Sequence, residues 1–290
     1  MILVLGATGN VGKEVAKQLI SAGRPVRVLV RDRKRAEAAL GTEGYTVVEG
    51  EFDNPDALAK SMEGIEGVFI VTLDEEYFYT HQLEKIIGAA QTAKVTRAVM
   101  LSARADITSY MPFFRWHGIA ERMLLNSGIP CTLLRPAWFM QNFLTTAAGG
   151  VLNVSAGKGL MGFIDTRDIA SVAVAALVEP GHQPKLYLLT GPEALNHYQV
   201  AEILSECTGR NFTYNSINED TYRTQLIANG GDESFVNLSI DISEDMRKGR
   251  TGVLWPDLKE ILGHNGHTFR EFVNDHLEAF EKLGSVTRFG

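Results

Sequence analysis

The sequence of 290 residues predicts an α/β fold built on a doubly wound parallel sheet. Two observations support this prediction: short apolar segments alternate with segments of helical spacing, and a glycine-rich turn follows the first apolar segment. The apolar segments of the first half are residues 2–5, 26–30, 46–50, 67–72 and 97–102. Parallel strands need crossover connections, so the alternation predicts successive β-α-β units.

The opening residues, MILVLGATGNVGKEVAKQLISAG, form the first of these units. Gly6 permits a tight turn after the strand, Gly9 lets the backbone approach a diphosphate, and Gly12 lets the next helix pack closely on the sheet. That helix has its apolar residues on one face and ends at Gly23. We therefore predict that the turn binds a dinucleotide through Gly6, Thr8, Gly9, Asn10, Val11 and Gly12.

The residue after the second strand selects the dinucleotide. A carboxylate there accepts hydrogen bonds from the ribose of NAD, whereas an arginine meets the 2′-phosphate of NADP. The chain reads VRVLVRDRKR, which places Arg31 at this position. A guanidinium grips phosphate bidentately, so NADP(H) is favoured over NAD(H). Two alternatives stay open: the basic run is a solvated helix start, or Asp32 reaches the ribose.

The third strand leads into EGEFDNPDAL. Phe52 and Asp53 follow this strand, at the edge where a dinucleotide would lie, and we predict that they contact the adenine. Asp53 has a second interpretation, because it could instead cap the helix that begins near Pro55.

Later segments extend the sheet before the sequence changes character. The extending elements are a helix over 114–128, a strand over 131–136 and a helix over 166–180. From about Lys185, a strand and a helix capped by Asn196 lead into polar, less periodic sequence through Asp245, and a last helix covers 267–280.

This change in texture predicts two domains. A Rossmann-like NAD(P)-binding domain is expected over residues 1–150, with 151–190 contributing further sheet elements. Residues 191–290 are expected to form mainly a smaller, substrate-side lobe.

Composition argues against several other classes of protein. The net charge of -7 disfavours nonspecific binding to nucleic acid, which requires a basic face. Cys131 and Cys207 lie outside CxxC spacing, so we predict no disulfide framework. We also assign no metal, because carboxylate or cysteine neighbours at metal-ligand spacing are not recognised for His81, His182, His197, His264 and His267. The start lacks signal-peptide features and no apolar run is long enough for a bilayer, so we expect a cytoplasmic protein without membrane contact.

Several motifs resemble those of the NmrA-like atypical short-chain dehydrogenases/reductases. They are GATGNVG, the arginine after the second strand, GEFDNPDAL, the LSA after the fifth strand, RPAWFMQN and FIDTRDIASVAVAAL. The resemblance covers nearly the whole chain, and the chain is similar to the dye, quinone and ergot-alkaloid reductases of that family. It implies a Rossmann-like fold, an NADP(H) site at the glycine turn and Arg31, and a cleft between two lobes.

The chain departs from the usual catalytic pattern of short-chain dehydrogenases. These enzymes carry Tyr-x-x-x-Lys on the helix after the fifth strand, where the tyrosine donates a proton and the lysine lowers the tyrosine pKa. None of the eight tyrosines here has a lysine four residues later. By the resemblance, Phe113 takes the tyrosine position and His117 the lysine position. His117 is therefore the candidate catalytic residue, expected chiefly to bind and orient the nicotinamide ribose; the alternative is a packed or surface histidine.

The remaining predicted site residues lie near the nicotinamide. The cofactor side comprises Thr72, Leu73, Ser102, His117 and Pro136, and the substrate pocket comprises Tyr77, Phe113, Trp138, Phe139 and Asn142. Aromatic side chains would form a flat apolar slot that attracts a cation through the ring quadrupole, although each could instead be core packing. Asn142 either orients the substrate or only ties down backbone.

The lack of the usual tyrosine proton donor restricts the chemical class of the hydride acceptor. An acceptor that becomes neutral when it takes hydride, such as an iminium ion, a cationic dye or, less purely, a quinone, needs no strong protein acid. The sequence thus predicts an NADPH-dependent, flavin-free reductase for a conjugated or cationic small molecule. The alternative is an NADP(H)-sensing regulator that reports to a protein partner without turnover. Sugar-nucleotide epimerisation is disfavoured because it needs the missing tyrosine as its base.

Overall fold

The structure is a computed structural model, and it describes residues 1–71, 81–104, 107–108 and 111–282. Contacts divide the described residues into two compact units. The first is drawn from Met1–Pro136, Thr166–Leu189 and Glu260–Leu262, and the second from Ala137–Asp165, Thr190–Lys259 and Gly263 onward. The chain thus leaves the first unit after Pro136 and returns at Thr166, whereas the sequence-based division used single boundaries.

The first unit contains a seven-stranded sheet in the order β3-β2-β1-β4-β5-β6-β8, in which every neighbouring pair is parallel. Its strands are β1 (Ile2–Leu5), β2 (Val26–Val30), β3 (Tyr45–Glu49), β4 (Gly67–Val71), β5 (Arg97–Leu101), β6 (Cys131–Pro136) and β8 (Lys185–Leu189). Its helices are α1 (Asn10–Ser21), α2 (Arg33–Leu40), α3 (Pro55–Met62), α4 (Leu83–Thr92), α5 (Pro112–Leu125) and α7 (Thr166–Val178). The predicted α/β class with a Rossmann-like parallel sheet is confirmed.

Helices cover both faces of this sheet, which explains why its strands are apolar throughout. Leu3 and Leu5 belong to a core cluster with apolar residues of α3, α4 and α5. Ile2 and Val4, which alternate with them, are also buried and point to the opposite face. There α1 packs against α7, and α7 also contacts β4, β5 and β6. The strand order reverses beside β1, between β2 and β4, which is where sheets of this type bind ligands.

The second unit is mainly helical. Its elements are α6 (Phe143–Thr146), β7 (Val151–Val154), α8 (His197–Thr208), β9 (Thr213–Ser216), α9 (Glu219–Ala228), α10 (Glu233–Arg247), α12 (Phe269–Asp275) and α13 (Leu277–Lys282), and α11 spans Asp257–Leu262. β7 pairs in parallel with β9 in a separate two-stranded sheet. Of residues 151–190, only α7 and β8 therefore extend the main fold, while β7 does not.

The polar sequence before Asp245 forms two helices that the periodicity did not reveal, α9 and α10. The Asp232 side chain caps α10 by accepting a hydrogen bond from the Phe235 N–H at 2.8 Å. The predicted Asn196 cap of α8 is confirmed, because its side chain and Gln199 form a reciprocal capping box. Among the described residues, no helix is long and apolar enough to cross a membrane.

A buried histidine lies in the aromatic core of the second unit. His197 is 6% exposed, and its ring centroid is 5.2 Å from that of Tyr214 and 5.8 Å from that of Phe163. Its Nδ1 has no hydrogen-bond partner within the described ranges of the chain. Burial lowers the pKa of His197 from 6.5 to about 4, so the imidazole is neutral in the folded protein at neutral pH.

This burial makes stability depend on pH. Between pH 6.5 and about pH 4 the unfolded chain binds a proton at His197 that the folded chain does not, so the free energy of unfolding falls as the pH is lowered through this window. Relative to pH 7, the loss from this group at pH 5 is roughly 2 kcal/mol. In urea unfolding, His197→Phe should reduce the difference between the free energies of unfolding at pH 7 and pH 5 by about this amount. The exposed-residue control, His264→Gln, should leave that difference unchanged. An unchanged difference in His197→Phe would show that the imidazole is not buried in this way.

Candidate functional site

The turn between β1 and α1 depends on two glycines in direct contact. Gly6 has a φ of +69°, a left-handed conformation that favours glycine. A Cβ at position 12 would lie 2.2 Å from the Gly6 carbonyl oxygen, so only glycine lets the first turn of α1 rest on the end of β1. The Gly9 N–H donates to the same oxygen at 2.9 Å, which closes the turn.

Gly9 is not required by packing in the same way. Its φ is -86°, which any residue adopts, and a Cβ there would lie 3.4 Å from the Gly6 oxygen, an ordinary contact. The residue is exposed. The protein alone therefore tolerates a side chain at this position, whereas a ligand that approaches the backbone would not.

The N-terminus of α1 is built to receive an anion. Gly9 is the N-cap residue and supplies no side-chain hydrogen bond, and the first turn contains no acidic residue. The N–H groups of Asn10, Val11 and Gly12 precede the first i to i−4 bond within the helix and have no described side-chain partner. Their dipoles add to the partial positive charge of the helix end, an arrangement that suits a diphosphate.

Arg31 lies directly after β2, exposed, and makes no hydrogen bond or ion pair with the described residues. Its neighbour Asp32 has a structural role, because its carboxylate caps α2 by accepting from the Lys34 N–H at 2.8 Å. The helix begins at Arg33, so Arg31 lies outside the helix start. This geometry leaves the Arg31 guanidinium available for the phosphate that the sequence assigns to it.

Asp53 does not cap α3, so that alternative is wrong. The cap is Asn54, whose side-chain oxygen accepts from the N–H groups of the two residues after Pro55. Asp53 instead accepts hydrogen bonds from Gln82 Nε2 at 2.8 Å and Lys85 Nζ at 2.7 Å. Phe52 is partly buried against the core beneath α3, α4 and α5. Contact of Phe52 and Asp53 with an adenine stays a prediction.

A buried serine hydroxyl lies where β5 ends, beside β6. The Ser102 N–H donates to the Leu134 carbonyl at 2.7 Å, which continues the sheet past β5. Its hydroxyl is buried and has no hydrogen-bond partner among the residues that the structure describes. Pro136 ends β6, on the neighbouring strand. The other predicted residues of this half, Thr72, Leu73 and Tyr77, lie outside the described residues.

His117 lies on the buried face of α5. It is 3% exposed, and its Nδ1 is 2.8 Å from the Phe113 carbonyl oxygen, one turn earlier. Burial lowers the pKa of His117 from 6.5 to about 4, although the bond to that carbonyl opposes the change. A neutral ring that donates from Nδ1 has its lone pair on Nε2. The Phe113 ring packs on the imidazole with centroids 4.3 Å apart.

The remaining predicted pocket residues belong to the second unit. Trp138 packs against the aromatic core of that unit, and its carbonyl accepts from the Ile164 N–H at 3.0 Å. Phe139 forms an isolated bridge with Ile164. The Asn142 carbonyl accepts from the Thr145 and Thr146 hydroxyls at 3.0 Å, so its main chain ties down the local turn. These contacts leave the predicted role of the three side chains in a substrate pocket untested.

Two features escaped the sequence analysis. Glu121, one turn after His117, is buried, and its carboxylate accepts hydrogen bonds from Nε and Nη2 of Arg135. This bidentate ion pair holds α5 against β6. Lys13 and Lys17 line a pocket beside the glycine turn, and their four-residue spacing on α1 is the signal that could have revealed them. In the described part of the chain, no group of three or more His, Cys, Asp or Glu residues could hold a metal ion.

Comparison with known proteins places these features in context. A family model described as the NmrA-like family matches residues 1–249. The chain is 35% identical over 288 residues to a (4-alkanoyl-5-oxo-2,5-dihydrofuran-3-yl)methyl phosphate reductase of Streptomyces griseus, covering 97% of this chain and 99% of that protein. It is 32% identical over 289 residues to an NAD(P)H azoreductase of Xenophilus azovorans, with 97% and 99% covered.

A solved structure resembles the whole fold. The NADPH-dependent quinone oxidoreductase QOR2 of Escherichia coli, in complex with NADPH, superposes with a TM-score of 0.84 at 29% identity. The match covers 96% of this chain and 100% of that one. The likeness in fold therefore extends over nearly the entire length of both proteins.

The different surroundings of Gly9 and Gly12 allow the effect of a substitution on stability to be distinguished from its effect on NADPH binding. Gly9→Ala should change the free energy of unfolding by less than about 1 kcal/mol, because the backbone and the surrounding space accept a methyl group. It should nevertheless weaken NADPH binding at least about tenfold, since the methyl group occupies the approach to α1. Calorimetric titration and urea unfolding measure the two effects.

Gly12→Ala is the matched comparison. The added methyl group clashes with the Gly6 carbonyl, so the free energy of unfolding of this variant should fall by roughly 1–3 kcal/mol. Full NADPH affinity in Gly9→Ala would refute the assignment of this turn to the diphosphate.

Proposed function

The chain belongs to the NmrA-like family, and from this premise we propose that it is an NADPH-dependent, flavin-free reductase that transfers hydride to a conjugated or cationic small molecule. The coarser assignment, an NAD(P)H-dependent oxidoreductase, agrees with the activities named for its relatives. The observation that carries the proposal is the uncapped N-terminus of α1 beside Gly9, a position where the fold alone does not require glycine.

The residues present fit a nicotinamide dinucleotide. Contact between Gly12 and Gly6 fixes the amides of residues 10–12 at the turn, where they would hold the diphosphate. The Ser102 hydroxyl follows β5 and has no hydrogen-bond partner in the described part of the chain, so it offers a hydrogen bond to the nicotinamide half. When bound, NADPH supplies the hydride.

In this proposal His117 orients the nicotinamide ribose and does not donate a proton to the acceptor. Since its pKa is about 4, the ring is neutral at pH 7 and cannot replace the cationic lysine of the usual dyad. Its Nδ1 proton is directed at the Phe113 carbonyl, which fixes the tautomer and makes Nε2 an acceptor for a ribose hydroxyl. The pair of buried Glu121 with partly buried Arg135 keeps α5, and therefore His117, in place against β6.

The lack of a Tyr-x-x-x-Lys proton relay favours conjugated or cationic molecules as hydride acceptors. No tyrosine of the chain has a lysine four residues later, so a nascent alkoxide would lack the usual proton donor. Quinones, cationic dyes and iminium ions spread or neutralise charge as they accept hydride. The half-buried Phe113 ring, which packs on His117, is one aromatic surface suited to such planar molecules.

The proposal includes the cellular setting and the partner. Cys131 and Cys207 are free thiols, which fits a protein of the reducing cytoplasm. The partner is a small aromatic or cationic molecule. A protein partner belongs to the alternative, a regulator that binds NADP(H) without turnover.

Oxidation of NADPH and of NADH, followed with a panel of acceptors, tests the proposal. The purified protein should show no flavin absorbance and should reduce quinones, triarylmethane dyes or cyclic iminium ions at least about tenfold faster than simple ketones. Equal rates on ketones would contradict the acceptor class. Tight NADPH binding without consumption of any acceptor would favour the regulator.

A variant of His117 tests its orienting role. His117→Leu removes the acceptor nitrogen and should lower kcat roughly tenfold with NADPH affinity changed less, because one hydrogen bond of about 1 kcal/mol is lost together with ring orientation. The wild-type pH profile of kcat should show no histidine step between about pH 5 and about pH 8, since the pKa lies below this range. Exposed His264→Gln is the control. An unchanged kcat in His117→Leu would assign this residue to packing alone.

A further inference from the structure

A basic pocket lies between α1 and α2, next to the glycine turn. Its volume is about 420 Å³, within the range of roughly 300–1,000 Å³ usual for ligand sites. The lining residues are Thr8, Lys13, Lys17, Arg35, Ala38 and Ala39. Three cationic side chains therefore surround one space on a protein whose net charge is -7.

The sequence builds this pocket from two helical faces. Lys13 and Lys17 are four residues apart on α1, so they project from the same side of that helix. Arg35 and Ala39 have the same spacing on α2, with Ala38 beside them. The two alanines are small, which leaves the space between the helices open.

The positive charges are largely unpaired. Lys17 and Arg35 make no hydrogen bond or ion pair with the described residues. The ion pair of Lys13 is with adjacent Glu14 at 3.8 Å, and the Lys13 side chain is 35% exposed, so this pair contributes little.

The placement is electrostatically unfavourable without a ligand. Lys13 lies in the first turn of α1, where the helix dipole disfavours a cation, and Lys17 and Arg35 add like charge around the same pocket. A bound anion removes both penalties. A phosphate monoester, with its double negative charge, matches three cations and the Thr8 hydroxyl.

We propose that Lys13 and Lys17 determine specificity for the 2′-phosphate of NADPH, which this pocket binds together with Arg35. This inference depends on the proposed function, because it identifies how the same dinucleotide site distinguishes NADPH from NADH. Thr8 links the dinucleotide site to the basic pocket, since it belongs to the glycine turn and also lines the pocket. Selection is thus shared between α1 and the residues after β2, and Arg31 is not the sole determinant.

Binding measurements on the full chain test this assignment. The dissociation constants of NADPH and NADH are measured by calorimetry for the wild type, Lys13→Gln/Lys17→Gln, Arg31→Gln and the control Lys60→Gln, which removes an exposed lysine of α3. The double variant should lose at least about tenfold in preference for NADPH, with NADH affinity changed less than about twofold. Lys60→Gln should keep the wild-type preference. The loss should shrink in high salt, because exposed charges are screened.

Smaller probes separate the possible sources of phosphate. Adenosine 2′,5′-bisphosphate should displace NADPH better than 5′-AMP from the wild type, and this advantage should fall at least about tenfold in the double variant, which keeps Arg31 and Arg35. Inorganic phosphate should compete weakly with NADPH. Binding of inorganic phosphate that depends on both lysines but does not compete with NADPH would overturn the proposal in favour of a separate anion site.

The two proposals fail in different ways. If the wild type binds NADPH and the double variant keeps its full preference over NADH, the lysine assignment is overturned while the reductase proposal survives. A wild type that binds both dinucleotides without preference for NADPH likewise overturns the lysine assignment. If neither dinucleotide binds, the proposed function fails and the assignment of the pocket fails with it.

Discussion

The fold and its site depend on one contact, the approach of the α1 backbone at Gly12 to the Gly6 carbonyl. A Cβ at position 12 would lie 2.2 Å from that oxygen, so any other residue would push α1 away from β1. β1 lies between β2 and β4, where the order of strands reverses, and α1 also packs against α7. The contact therefore fixes the first helix on the centre of the sheet and directs its uncapped N-terminus to the edge where such sheets bind ligands.

Electrostatics divides this site into two parts with different physics. The proposed adenosine side is exposed and cationic, with Arg31, Lys17 and Arg35 lacking ion pairs among the described residues. Ser102 and His117, assigned to the nicotinamide side, are buried, and burial keeps the imidazole neutral. Under the proposed function, charge serves affinity for phosphate on one side, and neutral hydrogen-bonding groups serve orientation on the other.

The sequence was informative where structure is decided locally. The strands of the main sheet fall within about one residue of their expected positions, because apolar runs bounded by glycine and polar residues define them. The sequence suggested Asp53 as a cap for α3, but Asn54, which is an equally good N-cap residue, takes that role. The contacts of Asp53 with Gln82 and Lys85 come from α4 and its N-cap, which lie distant in the chain. Pairing of β7 with β9, and the burial of His117, likewise depend on residues distant in the chain. The lysines of the basic pocket could be read from spacing, but their shared space with Arg35 required the packing of two helices.

The central claim is that the N-terminus of α1 binds the diphosphate of a dinucleotide. A crystal structure of the full chain grown with NADPH tests it most directly. The account predicts diphosphate oxygens within hydrogen-bonding distance of the N–H groups of Asn10, Val11 and Gly12, with the adenosine directed toward β2. A dinucleotide bound elsewhere, or a diphosphate out of reach of these amides, would contradict it.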